Sequence, residues 1–194
     1  MTTDAQVFDG LSYVEDMAWS IEPLAALPPA TALARLDAQN TQTLIADASL
    51  GDSRRSPDPT DEDAAIIGEL HRLEFKVDVM LRLVAQLLAR SRVLPPTSPV
   101  CLHARGMEWP ASGTDPAPGS AVLVHIYINP AFPQPLEFAG VMCLPRRDGD
   151  RGWSRIVWHG VAPGVTDLLE KLIFRHHRRQ IAGTRTQGGP QSLI

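Results

Sequence analysis

The stretch VCLHARGMEW, residues 100–109, decides how the C-terminal half of the chain is interpreted. Cys101 and His103 are two residues apart in it, and an Arg-Gly pair follows them. Side chains at positions i and i+2 of a β-strand point to the same face, so the thiol and the imidazole would lie side by side. The stretch is compatible with a metal site, with a ligand-binding strand edge, or with a plain strand that turns at Gly106.

The sequence that follows Pro95 and Pro96 alternates between apolar and polar residues with a period of two, which is typical of strands. Candidate strands cover 99–109, 120–129, 136–144 and 153–159, and the turn-rich segment 146–152 predicts a hairpin loop. Short strands with tight connections indicate a small antiparallel β-barrel. Helical spacing after residue 163 predicts a closing helix. We therefore expect the barrel and its helix at 95–183 and a flexible tail at 184–194.

The N-terminal part of the chain shows helical rather than alternating patterns. Apolar residues at helical spacing predict helices over 4–27 and 30–50, and the Ser- and Pro-rich run 51–59 predicts a loop. Residues 1–58 are therefore expected to form N-terminal helices and a linker. The fold class that follows is α+β, a small antiparallel β-barrel preceded by helices.

The segment 60–92 carries a heptad repeat and is predicted to be a long oligomerisation helix. Its apolar residues recur at alternating steps of 4 and 3, which is typical of a coiled coil. The predicted oligomer interface consists of Ile66, Leu70, Leu73, Val77, Met80, Val84 and Leu87. A second apolar row beside it favours a tetramer over a dimer, because a two-stranded coil usually keeps those positions charged. A long helix buried in a monomeric bundle is the alternative.

Sequence motifs of metal sites and enzymes are absent. The chain has no C-x-x-C, H-x-x-x-H or H-E-x-x-H spacing, although Cys143 and either His125 or His159 could approach Cys101 and His103 from neighbouring strands. It also has no P-loop, no G-x-S-x-G and no G-x-G-x-x-G. No metal ligand, cofactor, catalytic residue or enzyme activity is therefore predicted.

The chain start and its charges bear on location and partners. The start MTTDAQVFDG lacks the pattern of a signal peptide, and no run of about 18 apolar residues occurs. The sequence predicts a cytoplasmic protein with no membrane insertion.

Basic residues near the end of the last helix are Arg175, His176, His177, Arg178, Arg179 and Arg185. They are interpreted as a solvated helix end, and no nucleic-acid binding is predicted, because no aromatic residues are interleaved among them.

Four segments resemble the PilZ domain over roughly residues 95–183. They are LHARGMEW, GSAVLVHIYI, FAGVMCLPRRDGDRGWSRIVWHGV and the helix LLEKLIFRHHRRQ. The resemblance implies a six-stranded barrel of a family that typically binds cyclic di-GMP. It also implies two binding motifs, R-x-x-x-R before the first strand and [D/N]-x-S-x-x-G within it.

This chain departs from both binding motifs. The second motif falls on CLHARG, where Cys101 stands in place of the acid or amide, His103 stands in place of the serine, and Gly106 is retained. The first motif has no match, since Arg90 and Arg92 have the wrong spacing. A thiol is a weak hydrogen-bond donor and acceptor, so Cys101 cannot replace a carboxylate.

The sequence therefore predicts an atypical PilZ protein that acts as a non-enzymatic oligomeric adaptor or scaffold and does not bind cyclic di-GMP on its own. Its partner would be an unidentified bacterial signalling or motility protein, with Trp109, Tyr127 or Trp158 as an exposed partner surface. Two alternatives remain open. One is a cyclic di-GMP receptor that uses non-standard arginines, such as those at the end of the last helix, and the other is a metal-binding protein.

Overall fold

The computed structural model describes residues 8, 10–52, 94–129 and 134–187, together with 72–73, 76–77, 79–80 and 84. Within these residues the strands are β1 (Tyr13–Pro23), β2 (Thr97–His103), β3 (Gly106–Pro110), β4 (Ala121–Tyr127), β5 (Leu136–Met142), β6 (Arg146–Asp148) and β7 (Arg151–Trp158). The two long helices with defined ends are α1 (Ala30–Asp52) and α2 (Pro163–Gln187).

Six of these strands close into an antiparallel barrel. Hydrogen bonding follows the order β3-β2-β1-β4-β5-β7, and a further pairing of β3 with β7 joins the two ends. Strand β6 pairs with β7 and forms a short hairpin beside the ring. The predicted small antiparallel barrel is confirmed, and closure leaves its six strands with hydrogen-bonded neighbours on both sides.

The barrel interior is filled by the apolar residues of the alternating strands. In β4, Val122, Val124 and Ile126 are fully buried while the residues between them are half-buried. Phe138 of β5 stacks on Trp158 of β7 with ring centroids 4.8 Å apart. The alternation predicted for strand 120–129 thus gives β4 one buried face, and burial of these side chains is the main force that holds the barrel together.

The helix predicted over 4–27 is wrong between residues 13 and 23, which form strand β1. This strand lies between β2 and β4, with Met17 opposite Ser98 and Ile21 opposite Val124. The predicted helix places Val14 and Met17 on one face because they are three residues apart, but in the strand Met17 is buried and Val14 is exposed. The first half of the strand pairs with β2 and the second half with β4, and burial in the barrel outweighs the local helical preference of the segment.

The strand predicted over 99–109 is two strands, β2 and β3, joined by a tight turn at Ala104 and Arg105. Four strands were predicted. The division of 99–109 into two strands and the addition of β1 give the six strands of the ring. Gly106 begins β3 where a Cβ atom would lie only 2.4 Å from the carbonyl oxygen of Ile156. The glycine is required there because the neighbouring strand β7 passes too close for any side chain.

The helices α1 and α2 pack together against one side of the barrel. Arg175 of α2 forms an ion pair with Asp47 of α1 at 3.0 Å, and Asp37 of α1 accepts a hydrogen bond from the backbone N–H of Ala162. The predicted helices at 30–50 and after residue 163 are confirmed, and the C-terminal one continues to Gln187, through positions 184–187 of the predicted tail. Among the described residues, no helix is long and apolar enough to cross a membrane.

Candidate functional site

The two polar positions of the degenerate motif are brought together at the end of β2. The Sγ atom of Cys101 lies 3.3 Å from Nε2 of His103, so the two side chains share one face as predicted. His103 is 4% exposed and Cys101 is half-buried. The degenerate motif is therefore an enclosed site and not a solvent-facing strand edge.

Glu108 of β3 is the third member of this site, and the sequence analysis missed it. It lies opposite Cys101 on β2 and opposite Arg155 on β7 in the strand registers. Its Oε2 atom is 3.6 Å from Nε2 of His103, and the carboxylate is buried. Cross-strand neighbours on one face of a sheet lie within contact distance, which places the carboxylate between the thiol and a guanidinium.

Two arginines hold the other oxygen of this carboxylate. The Nε atom of Arg155 is 3.1 Å from Oε1 of Glu108, and the Nε atom of Arg146 is 3.4 Å from the same oxygen. The five side chains Cys101, His103, Glu108, Arg146 and Arg155 are called the polar cluster below. The sequence signal for these cluster members was the presence of acidic and basic residues within strand patterns. Which of these residues face one another depends on the register of β3 and β7, and the sequence does not show that register.

Phe8 covers the polar cluster. Its ring lies 4.0 Å from the guanidinium carbon of Arg155 and meets the ring of His103 edge-on at 5.2 Å. The same ring approaches within 3.0 Å of the position where Gly106 would carry a Cβ. A cation over an aromatic face is attracted by the ring quadrupole, so the contact stabilises this cover as well as excluding water.

The enclosed setting keeps the thiol and the imidazole neutral at neutral pH. Burial raises the pKa of Cys101, and the charge of Glu108 adds to this against a hydrogen bond with Ser12 and the charge of Arg146. Burial also lowers the pKa of His103, and the charges of the two arginines act in the same direction against Glu108. The contact between Cys101 and His103 is therefore a weak hydrogen bond and not a thiolate–imidazolium pair.

This geometry does not form a nucleophilic catalytic site. An activated cysteine needs a thiolate and a histidine whose second nitrogen is oriented by a third group. In the polar cluster, the carboxylate and the thiol both face the same nitrogen, Nε2 of His103. The arrangement instead converges three possible ligand atoms on one point.

A cavity of about 650 Å³ opens beside His103, between the β2–β3 turn and helix α2. Its lining includes His103, Arg105, Asp167, Glu170, Lys171 and Phe174. A neighbouring cavity of about 450 Å³ shares Arg105, Asp167 and Glu170. Because two carboxylates stand beside the two cations, the cavity does not present the excess of positive charge that a doubly anionic dinucleotide requires.

Other residues singled out in the sequence do not join the polar cluster. Among the described residues, the group of converging ligand atoms consists of Cys101, His103 and Glu108, without Cys143, His125 or His159. The expected partner surface is wrong for two of its three members, since Trp109 and Trp158 are 2% and 8% exposed. Their rings fill the barrel core instead of facing solvent.

The predicted oligomer interface is described in part. Leu73, Val77, Met80 and Val84 are helical and 52%, 47%, 60% and 52% exposed. The remaining predicted interface positions, Ile66, Leu70 and Leu87, lie outside the described residues. In a single chain, these four apolar side chains of the heptad stripe are therefore left facing solvent.

Comparisons with known proteins agree with this architecture. The family model of the atypical PilZ domain, described as a cyclic di-GMP receptor, matches residues 43–186. No curated protein matches the chain. A tetrameric PilZ domain protein of Xanthomonas campestris, described as pathogenic and self-assembled through an unusual helical bundle, is 24% identical, with a TM-score of 0.71 over 92% of this chain and 95% of that chain. The inhibitor of motility MotI/DgrA of Bacillus subtilis is 16% identical, with a TM-score of 0.34 over 44% of this chain and 42% of that chain.

Proposed function

Because the chain belongs to the atypical PilZ domain family, we propose that it is a non-enzymatic, oligomeric adaptor of bacterial signalling that does not bind cyclic di-GMP on its own. The observation that carries the proposal is the polar cluster itself. At the position where the family motif supplies an acid or amide and a serine, this chain holds Cys101 and His103 in contact with each other.

Three arginines that could replace the missing pair are engaged in ion pairs, while Arg105, within the motif, lines a cavity that it shares with Asp167 and Glu170. Arg146 and Arg155 both face the carboxylate of Glu108, and Arg175 faces Asp47. A phosphate that entered the polar cluster would have to compete with a buried carboxylate for the same guanidiniums. Hydrogen bonds to charged groups contribute about 1.5–3 kcal/mol each, so losing two of them lowers affinity more than about a hundredfold.

The Phe8 ring that covers the polar cluster also opposes nucleotide binding. The ring of Phe8 lies on Arg155, on the face where a guanidinium could stack on a guanine base. A nucleotide would need to displace this ring and expose the apolar surface beneath it. The family is described as a cyclic di-GMP receptor, and this chain would therefore be a member that keeps the barrel and has lost the ligand contacts.

Oligomerisation through the heptad helix is the second part of the proposal. Four of its stripe residues, Leu73, Val77, Met80 and Val84, are exposed in one chain. Apolar patches of this kind mark association surfaces. The Xanthomonas protein of the same fold is a tetramer assembled through a helical bundle, which supports a tetramer here. The barrels would then be displayed around a helical core in the cytoplasm and contact a signalling or motility protein.

Calorimetric titration of the full chain with cyclic di-GMP tests the proposal, with GTP as the control nucleotide. The expected result is no saturable heat with either nucleotide at protein concentrations on the order of tens of micromolar. Micromolar or tighter binding of cyclic di-GMP alone would contradict it. In that case, Arg146→Ala and the exposed Arg178→Ala would show whether the cluster arginine or the helix-end arginine holds the phosphate.

A further inference from the structure

The geometry of the polar cluster points to a metal site, and we propose that Cys101, His103 and Glu108 bind one Zn²⁺ ion. The atoms that would coordinate it are Sγ of Cys101, Nε2 of His103 and a carboxylate oxygen of Glu108. All three lie within 4.8 Å of one another. This inference does not depend on the adaptor role or on the absence of nucleotide binding.

The distances between the ligand atoms suit a tetrahedral zinc ion. The separation of Sγ and Nε2 is 3.3 Å, and that of Nε2 and Oε2 is 3.6 Å. With zinc bonds of about 2.0–2.1 Å to nitrogen, about 2.0–2.2 Å to oxygen and about 2.3 Å to sulfur, tetrahedral neighbours lie about 3.3–3.7 Å apart. Two of the three separations therefore match a tetrahedral ion, and the third, between Sγ and the carboxylate, lies within 4.8 Å and would adjust when the ion binds.

The ligand set also selects the ion. A thiolate, an imidazole and a carboxylate are all zinc ligands, whereas calcium and magnesium take oxygen ligands and would leave the sulfur and nitrogen unused. The thiolate would supply one negative charge to the ion, and the carboxylate would share its charge between the ion and the two arginines. Binding would release the thiol proton of Cys101 to solvent, since the thiolate is the metal ligand.

The two arginines are placed as supporting groups and not as competitors for the same atom. Arg155 and Arg146 both contact Oε1 of Glu108. They leave Oε2 directed toward His103, on the side where Cys101 lies. Ligating carboxylates are normally oriented by partners of their second oxygen, and the ion pairs with the two arginines would supply this orientation.

The cluster is incompletely satisfied by protein groups alone. The Nδ1 atom of His103 is buried without a hydrogen-bond partner among the described residues. Its Nε2 atom faces a neutral thiol and a carboxylate that is shared with two arginines. A neutral imidazole carries one proton, and with that proton on Nδ1 the lone pair of Nε2 is available to a metal ion. The cavity beside His103 supplies an entry path and room for a water molecule as the fourth ligand.

Cobalt substitution of the metal-stripped full chain tests the site. Titration with Co²⁺ is expected to saturate at one ion per chain, with the near-ultraviolet charge-transfer absorption that a thiolate–Co²⁺ bond produces. Zn²⁺ should displace the cobalt and abolish the absorption. Cys101→Ser should abolish the absorption, and Cys143→Ser should leave it unchanged, because Cys143 is not among the converging ligands.

Circular dichroism of both serine variants checks that the barrel is folded. A charge-transfer absorption that is lost in a folded variant then reports the loss of a ligand and not of the fold. His103→Gln should weaken Zn²⁺ binding at least about tenfold in competition with a chromophoric chelator. Wild-type chain without the charge-transfer absorption would overturn the proposal. An absorption that survives in Cys101→Ser, or that disappears in Cys143→Ser, would overturn it as well.

Discussion

The side-chain amide of Asn40 is paired with the main chain of Glu137 through two hydrogen bonds, each 2.8 Å long. The amide nitrogen donates to the carbonyl oxygen of Glu137, and the backbone N–H of Glu137 donates to the amide oxygen. The β5–β7 pairing begins only at Gly140, so this edge of β5 is not covered by a strand at Glu137. Asn40 of α1 thus completes the sheet edge where the strand is missing, and fixes the helix to the barrel.

Replacing Asn40 by alanine is expected to destabilise the protein by about 2–4 kcal/mol, because the backbone N–H and C=O of Glu137 would both lose their partner in a buried position. Asn40 is 1% exposed, so water has little access to replace the amide. Urea unfolding of the variant measures the change. The exposed neighbour Gln42→Ala should change the free energy of unfolding by less than about 0.5 kcal/mol. Equal stability of the two variants would show that the pairing contributes little.

Gly106 offers a second stability test, since it is the one family-motif position that this chain retains. A methyl group at this position would lie 2.4 Å from the carbonyl oxygen of Ile156 and 3.0 Å from the ring of Phe8. Gly106→Ala is expected to cost about 1–3 kcal/mol or more, because two strands would have to separate. Gly113→Ala has nothing within 4 Å of the new methyl group and should be nearly neutral. Thermal unfolding of both variants checks the difference, and a neutral Gly106→Ala would mean that the strands tolerate the shift.

The barrel could be predicted from the sequence where one face of a strand is buried and the other is not. Val122, Val124 and Ile126 are β-branched residues at every second position, and that pattern is a local property of the chain. Strand β1 could not be predicted in this way. Its identity is set by two partner strands that lie about 80 and 100 residues later in the sequence, while Val14 and Met17 keep a helical spacing.

Only part of the candidate site could be predicted from the sequence. The contact of Cys101 with His103 follows from their i, i+2 spacing and is confirmed. Glu108 and Arg155 enter the site through the register of three strands, and Phe8 enters from a distant part of the chain. Register and long-range packing are properties of the closed barrel, so a single sequence without its fold does not show them.

Asp115 makes the stability of the barrel sensitive to acid. Burial would raise its pKa, but hydrogen bonds from Ser154, from the backbone N–H and hydroxyl of Ser112 and from the indole of Trp109 outweigh this, and the pKa is lowered. The ionised form is favoured in the folded state, so its stabilisation is complete above the unfolded pKa of about 3.9 and is lost as the pH falls through the folded value.

Asp115→Asn should therefore be less stable than wild type near pH 6, by about 1 kcal/mol for each charged hydrogen bond that is weakened. The difference between the two proteins should shrink as the pH falls below about 4, because wild type then loses the same charge. Urea unfolding at a series of pH values measures this convergence. A constant difference across the range would mean that the carboxylate contributes by shape and not by charge.

The heptad stripe predicts how the chain associates. Leu73 and Val77 are helical and about half exposed in one chain, and an aspartate at either position would have to be buried without a partner in a helical bundle. Leu73→Asp and Val77→Asp are each expected to convert the proposed tetramer to monomers, measured as a fourfold fall in mass by light scattering. Arg72→Asp places the same side chain on an exposed helical position outside the stripe and should leave the mass unchanged.

Near-ultraviolet circular dichroism shows whether the barrel stays folded in each variant, since the core residues of the barrel do not include the stripe. A wild-type mass of one chain would contradict association, and a monomer from Arg72→Asp as well would show that added charge anywhere on the helix disrupts it.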